Sequence, residues 1–153
     1  MGRGAKVTLT PDYSYLKPGA YLEIQEFTLP TSDDGSLKPE NALFRSMALL
    51  GEAAAKLGRP FVDLNKLKPM MIEAGFVDVV EVRFKWPSNQ WPRDKLHKEI
   101  GMWNNENICS GVQGFLMAAL TRGLGWNKDE VDVLAAHTRN DVNSRSIHAY
   151  WPM

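Results

Sequence analysis

The sequence has a single cysteine, Cys109, so no disulfide can form within the chain and a small disulfide-stapled scaffold is excluded. It lacks an excess of either charge: 18 Lys and Arg face 18 Asp and Glu, a formal net charge of zero. The two signs are interspersed rather than blocked. Domains that coat nucleic acid or an anionic membrane carry a basic excess, so neither partner is expected. No apolar run approaches the roughly 18–20 residues of a membrane span, and the opening MGRGAKVTLT has no apolar signal-peptide core. A cytoplasmic location is therefore expected, or a nuclear one through a partner. No Cys/His or paired-His spacing suggests a metal site, and no Gly-x-Ser-x-Gly elbow suggests a serine hydrolase. Internal repeats and low-complexity segments are also missing.

What is present suits one domain. The chain has 153 residues, 44% of them hydrophobic, enough to bury one core. After the turn Leu16-Lys17-Pro18-Gly19, residues Tyr21 to Phe27 alternate in the strand period until Pro30 and the polar run Thr31 to Gly35 end them. Leu43, Met47, Leu50, Ala54 and Leu57 recur at helical spacing, with Gly58 as the stop. Leu64, Leu67, Met71 and Ala74 form a shorter stripe, interrupted by Pro69 and closed by Gly75. Val80, Val82, Phe84 and Trp86 alternate with charged residues and end at Pro87, the clearest strand in the chain.

Helical spacing then returns as three helices. Leu96, Ile100 and Trp103 mark the first, and Ile108, Val112, Phe115, Leu116, Ala119 and Leu120 the second. Val131, Leu134, Ala135 and Thr138 mark the third, after a capping-box spacing of Asn127 and Glu130. A polar turn at Asn140 to Asn143 leads to a last strand, Ile147 to Trp151. The order is an α/β pattern with an inserted helical layer. Cys109 lies in an apolar helical run and is expected as a small core residue.

Several pieces, in this order and spacing, resemble one group of proteins. They are Leu16-Lys17-Pro18-Gly19-Ala20-Tyr21-Leu22-Glu23-Ile24-Gln25-Glu26, Leu57-Gly58-Arg59-Pro60-Phe61, Glu73-Ala74-Gly75-Phe76-Val77-Asp78-Val79, Trp91-Pro92, Leu124-Gly125-Trp126 and Ile147-His148-Ala149-Tyr150-Trp151-Pro152. Together they resemble the carboxy-terminal half of fungal class I S-adenosylmethionine-dependent methyltransferases of secondary metabolism, the velvet-associated regulators included. The resemblance covers residues 16–153; residues 1–15 form an arm outside it. It implies a partial Rossmann-like sheet made of the fifth, seventh and sixth strands of the family, with the inserted helices over the methyl acceptor. The parent family uses S-adenosylmethionine, held by a glycine-rich turn after one strand and an acid at the end of another. Neither is found in this sequence, and the second glycine of the family's Leu-Lys-Pro-Gly-Gly turn is Ala20. No cofactor is expected for the isolated chain.

Ligands of open α/β sheets sit beyond the carboxyl ends of the parallel strands. The resemblance brings Glu26, at the end of the first strand, and His148, at the start of the antiparallel last one, to that rim as neighbours. A histidine oriented by a carboxylate can take a proton from a hydroxyl acceptor. The alternative is a hydrogen-bonded strand histidine and an acid serving a loop or helix. Trp91 and Trp103, with Trp126, suit the wall around a flat organic acceptor, or else the core. Asn104 and Asn107, beside Asn105, suit either a polar lining or a break in the helix. Tyr150 joins the acceptor-side candidates. His97 and His137 read as boundary residues.

Three functions stay open on these grounds. One is a truncated methyltransferase-like protein acting on a small-molecule acceptor with a partner chain. The second is a non-methylating cyclase or isomerase reusing the acceptor pocket. The third is an interaction module or an inert fragment. The edge of residues 21–27, covered by the fourth strand in the parent family, implies a homodimer, a heteromer, or Ala5 to Leu9 folding back as a substitute strand.

Overall fold

The computed structural model describes residues 15–153; the expected substitute strand at Ala5 to Leu9, and nearly all of the expected arm, lie outside them. Helix α1 runs Ala42–Lys56, a 3-10 turn covers Leu64–Lys66, and α2 runs Leu67–Ala74. Strand β1 is Lys85–Pro87, and α3 is Lys95–Ala119. A π-turn, Leu120–Leu124, leads to α4, Lys128–Asn143, and β2 is Tyr150–Pro152.

Most helix signals act as the residues predict. Gly58 and Gly75 stop α1 and α2 in left-handed conformations. Asn127 and Glu130 close a reciprocal capping box on α4. The two helices expected between Leu96 and Leu120 are one continuous α3, because Asn104 and Asn105 do not break it. Their amides turn outward instead and donate to other carbonyls, Asn104 to Pro87 O at 2.8 Å and Asn105 to Val142 O at 3.1 Å. The expected polar turn at Asn140 to Asn143 is the last turn of α4. Val142 there is fully buried, and the Asp141 carboxylate accepts the backbone N–H of Leu43 at 3.0 Å. That contact satisfies a free amide at the start of α1 from 98 residues away.

Two cores result. Ala53 of α1, Val112, Leu116 and Leu120 around the end of α3, and Val131, Leu134 and Ala135 of α4 form the helical core. Leu43, Val142, Ile147, Ala149 and Trp151 form a second, between the helix ends and β2, with Cys109 half-buried beside it. Burial pushes the Cys109 thiol up in pKa, which suits its expected packing role.

The sheet is smaller than expected. Tyr21 to Phe27 form no strand, and the second strand is reduced to Lys85–Pro87. The physical reason is a shortage of partners. A strand exists only where another backbone meets its N–H and C=O groups, and among the described residues only Ala149 to Met153 do so for β1. Their antiparallel register with β1 is Lys85↔Pro152, Trp86↔Trp151 and Pro87↔Tyr150. On the other side Thr31 bridges Tyr150, and Thr28 N–H reaches Pro152 O at 3.0 Å. The strand itself therefore starts at Tyr150, three residues after the expected Ile147.

From Ala54 to Trp86 no residue is buried. The expected stripe of α2 forms its helix, and its residues Leu64, Leu67, Met71 and Ala74 are only half-buried. Val77 and Val80 are 83% and 80% exposed, and Phe61, Ile72, Val82 and Phe84 are exposed as well. An apolar surface of that extent is the usual mark of an interface.

One close approach fixes how α3 meets the sheet. A Cβ on Gly101 would fall 2.1 Å from the backbone oxygen of Asn89 and 2.7 Å from its carbonyl carbon. Neither atom can retreat easily, because the Asn89 amide also ties the end of α4, donating to Val142 O at 2.8 Å and Ser144 O at 3.0 Å. Gly114, on the same helix, faces open space. Gly101→Ala is expected to cost about 1–3 kcal/mol by overpacking, whereas Gly114→Ala is expected to gain roughly 0.5–1 kcal/mol by restricting the unfolded chain. Urea denaturation of the two variants measures the contrast; equal midpoints would contradict this packing.

Candidate functional site

Alternation along β2 and the residues before it separates two faces. Ala149 and Trp151 enter the core, while His148 and Tyr150 point to the turn Thr31 to Ser36. Gly35, at φ 70°, lets that turn close. His148 receives two contacts from it. Its Nδ1 lies 2.6 Å from Asp34 Oδ2, and its backbone N–H donates to Ser36 Oγ at 2.8 Å. Tyr150 donates its hydroxyl to Asp33 Oδ1 at 2.6 Å. Lys85, from β1, reaches Asp33 Oδ2 and also lies 4.6 Å above the Tyr150 ring. Trp91 completes the cluster: its indole N–H donates to Ala149 O at 2.9 Å, and its ring meets the His148 ring at 5.0 Å, tilted by 34°.

The electrostatics follow from these bonds. The Ser36 hydroxyl and backbone N–H, then His148, hold the Asp34 carboxyl down to about 2. An ionised carboxylate only accepts, so His148 Nδ1 carries the hydrogen and a neutral imidazole keeps Nε2 as an open acceptor. The Lys85 hydrogen bond, then Tyr150, lowers Asp33, and the same Asp33 bond raises Lys85. Tyr150 is pushed up by its bond to Asp33 and then by burial, so it stays a hydrogen-bond donor at neutral pH. The arrangement is a partly exposed proton acceptor, oriented by a carboxylate and walled by an indole.

Of the candidates read from sequence, His148, Trp91 and Tyr150 come together. Glu26 does not join them: it is exposed, with no hydrogen bond or ion pair among the described residues, and the carboxylate on His148 is Asp34. The irregular path of residues 21–27 removes the strand end on which Glu26 was expected. Asn104 donates to Pro87 O and so braces the sheet. Trp103, 64% exposed, and Asn107, also exposed, lie on α3 outside the hydrogen-bonded cluster. Sequence reasoning missed Asp33, Asp34, Ser36 and Lys85. The available signal was a pair of acids and a serine around a glycine, which also reads as the end of a strand. Among the described residues no group of three His, Cys, Asp or Glu is placed to hold a metal, and no helix is long and apolar enough to cross a membrane.

In the resembled family a glycine turn between a strand and a helix start brings the backbone to the cofactor. Gly58, Gly75 and Gly125 end helices or the π-turn, and Gly19 and Gly35 sit in turns; none links a strand to a helix start. The described residues thus lack that glycine turn.

The chain is homologous over nine-tenths of its length to fungal proteins named methyltransferases and regulators of secondary metabolism. It is 38% identical over 142 residues to a protein of Emericella nidulans named probable methyltransferase tdiE, which covers 92% of this chain and 45% of that protein. It is 32% identical over 141 residues to the secondary metabolism regulator LAE1 of Cochliobolus heterostrophus, 90% of this chain and 46% of the relative. It is 33% identical over 141 residues to the protein-methionine methyltransferase laeA of Chaetomium globosum, 90% and 44% respectively. The chain thus spans under half the length of these relatives. No family model and no solved structure matches it significantly.

The Asp34 contacts set a pH dependence. A carboxyl lowered from 3.8 to about 2 contributes stability that is complete above about pH 4 and is lost as the pH falls toward 2. Asp34→Asn is expected to flatten that part of the acid limb in thermal melts taken between pH 5 and pH 2, roughly the span over which such a carboxylate protonates. An unchanged acid limb would show that the turn is not coupled to folding.

Proposed function

We propose that the chain is the acceptor-side part of a methyltransferase-like protein of fungal secondary metabolism, and that it methylates a small-molecule hydroxyl acceptor only with a cofactor-bearing part supplied by other residues or another chain. The observation that carries this reading is a partial homology joined to an uncovered apolar surface. The homology takes in nine-tenths of the chain but under half of each relative, and residues 54–86 form a continuous stretch with apolar side chains left uncovered. A heteromeric partner, or the remainder of a longer polypeptide, would bury that surface; a homodimer would bury it without adding a cofactor site.

The chemistry of the cluster favours the acceptor class. A hydroxyl must lose its proton when its oxygen is methylated, and His148 Nε2, backed by Asp34, is available to take it. A thioether, such as the methionine acceptor in the name of the Chaetomium globosum relative, has no proton to lose and needs no base. Trp91 offers a flat wall beside His148 for an aromatic acceptor. The methyl donor of the family, S-adenosylmethionine, would be held by residues other than those described here.

The test is reconstitution. Calorimetry of the chain alone with S-adenosylmethionine is expected to give no saturable binding. Mixing it with the portion of the Emericella nidulans relative that it does not match is expected to give a complex in sedimentation and to bring cofactor binding with it. In that complex His148→Ala is expected to lower transfer to hydroxyl acceptors by about 10²–10⁴-fold. Micromolar binding by the chain alone, or failure to associate, would overturn the reading.

A further inference from the structure

A second site lies on another side of Trp91. Arg93, Lys98 and Arg145 line a surface cavity of about 350 Å³ together with Gln90, Trp91 and Pro92. The chain as a whole is neutral, yet none of these three cations has an ion pair among the described residues. Arg145 donates only to the neutral Gln90 amide oxygen, at 3.2 Å. Asp94 is the acid next to Arg93 in sequence. Its Oδ1 is committed to His97, accepting the backbone N–H and meeting ring Nδ1, each at 2.9 Å.

Like charges gathered around one cavity repel one another, and an opposite charge seated among them relieves that repulsion. Helix α3 begins at Lys95 behind its N-cap, Asp94, which already accepts the His97 N–H, so the three side chains rather than the helix end supply the attraction. Arg93 flanks that cap and Lys98 follows in the helix, with Arg145 brought in by the α4–β2 connection. The floor is firm, since Pro92 is buried and the Trp91 indole is tied to Ala149 O.

We infer that this cavity binds the carboxylate or phosphate group of a small-molecule ligand, with Arg93 and Arg145 as the hydrogen-bonding forks and Lys98 as a point charge. Trp91 is common to the cavity and to the His148 cluster, so a ligand anchored here by its anionic group lies against the ring that packs on His148. The inference does not depend on methyl transfer. It would hold equally for a ligand that only regulates.

The experiment follows backbone and indole N–H resonances of the chain by NMR. It has two arms, inorganic phosphate and benzoate, each at constant ionic strength set with sodium chloride. Saturable shifts of the Trp91 indole and the Arg93 and Lys98 amides are expected in at least one arm, and the arm that saturates tells phosphate from carboxylate. Arg93→Gln with Arg145→Gln should weaken that binding by about tenfold or more, the loss of charge-assisted hydrogen bonds. Lys98→Gln, on a separate element, should weaken it less. No saturable shift in either arm, or equal binding by the double variant with a native-like spectrum, would overturn the assignment.

Discussion

Among the described residues the backbone of residues 149–153 is the only stretch that meets a neighbour on both sides, and the architecture depends on it. Ala149 O accepts from Ser88 N–H and from the Trp91 indole, while Met153 exchanges both of its backbone bonds with Phe84. On the opposite side Tyr150 exchanges both bonds with Thr31. Without this segment the turn at Asp33 and Asp34, β1 with Lys85, and the Trp91 loop would lose the backbone that aligns them. Each supplies one part of the polar cluster. The core side chains Ala149 and Trp151 anchor the same segment to the helices, so packing on one face holds the chemistry on the other.

That economy explains what was legible in the sequence. Helices announce themselves locally, through apolar spacing and caps, and the ends of α1, α2 and the start of α4 fell where Gly58, Gly75 and Asn127 put them. Strands do not, because alternation states only a preference that a partner must satisfy. Val80 to Phe84 alternates as clearly as any segment here, yet among the described residues only Phe84 of it meets a neighbouring backbone, that of Met153, and the segment lies exposed. The asparagines of α3 were ambiguous for a related reason. Their chemistry reads as helix-weakening, but carbonyls of Pro87 and Val142, brought there by tertiary packing, use their donors.

The site shows the same division. His148, Trp91 and Tyr150 were readable as residue types near the last strand, but the acid that orients the histidine was not. Glu26 and Asp34 are both acids that precede α1, and sequence order offers no way to choose between them. The choice is made by Ser36, whose hydroxyl receives the His148 N–H and so sets the register between turn and strand. A glycine-centred turn with two acids is common enough as punctuation that its second use stays hidden until the strand beside it is located.

The contacts that build the cluster are also among the most distant in the chain: Asp34 meets His148 across 114 residues, and Asp33 meets Tyr150 across 117. Such closures come late in folding, because most of the chain must be ordered before they are rewarded. During synthesis the turn at residues 31–36 is made early and waits, its acids hydrated and unpaired, until residues 148–153 are delivered. The helices can collapse meanwhile on their nearer contacts. Assembly of the cluster therefore coincides with completion of the last strand, and an unfinished or nicked chain carries the acids of the cluster without the imidazole they serve.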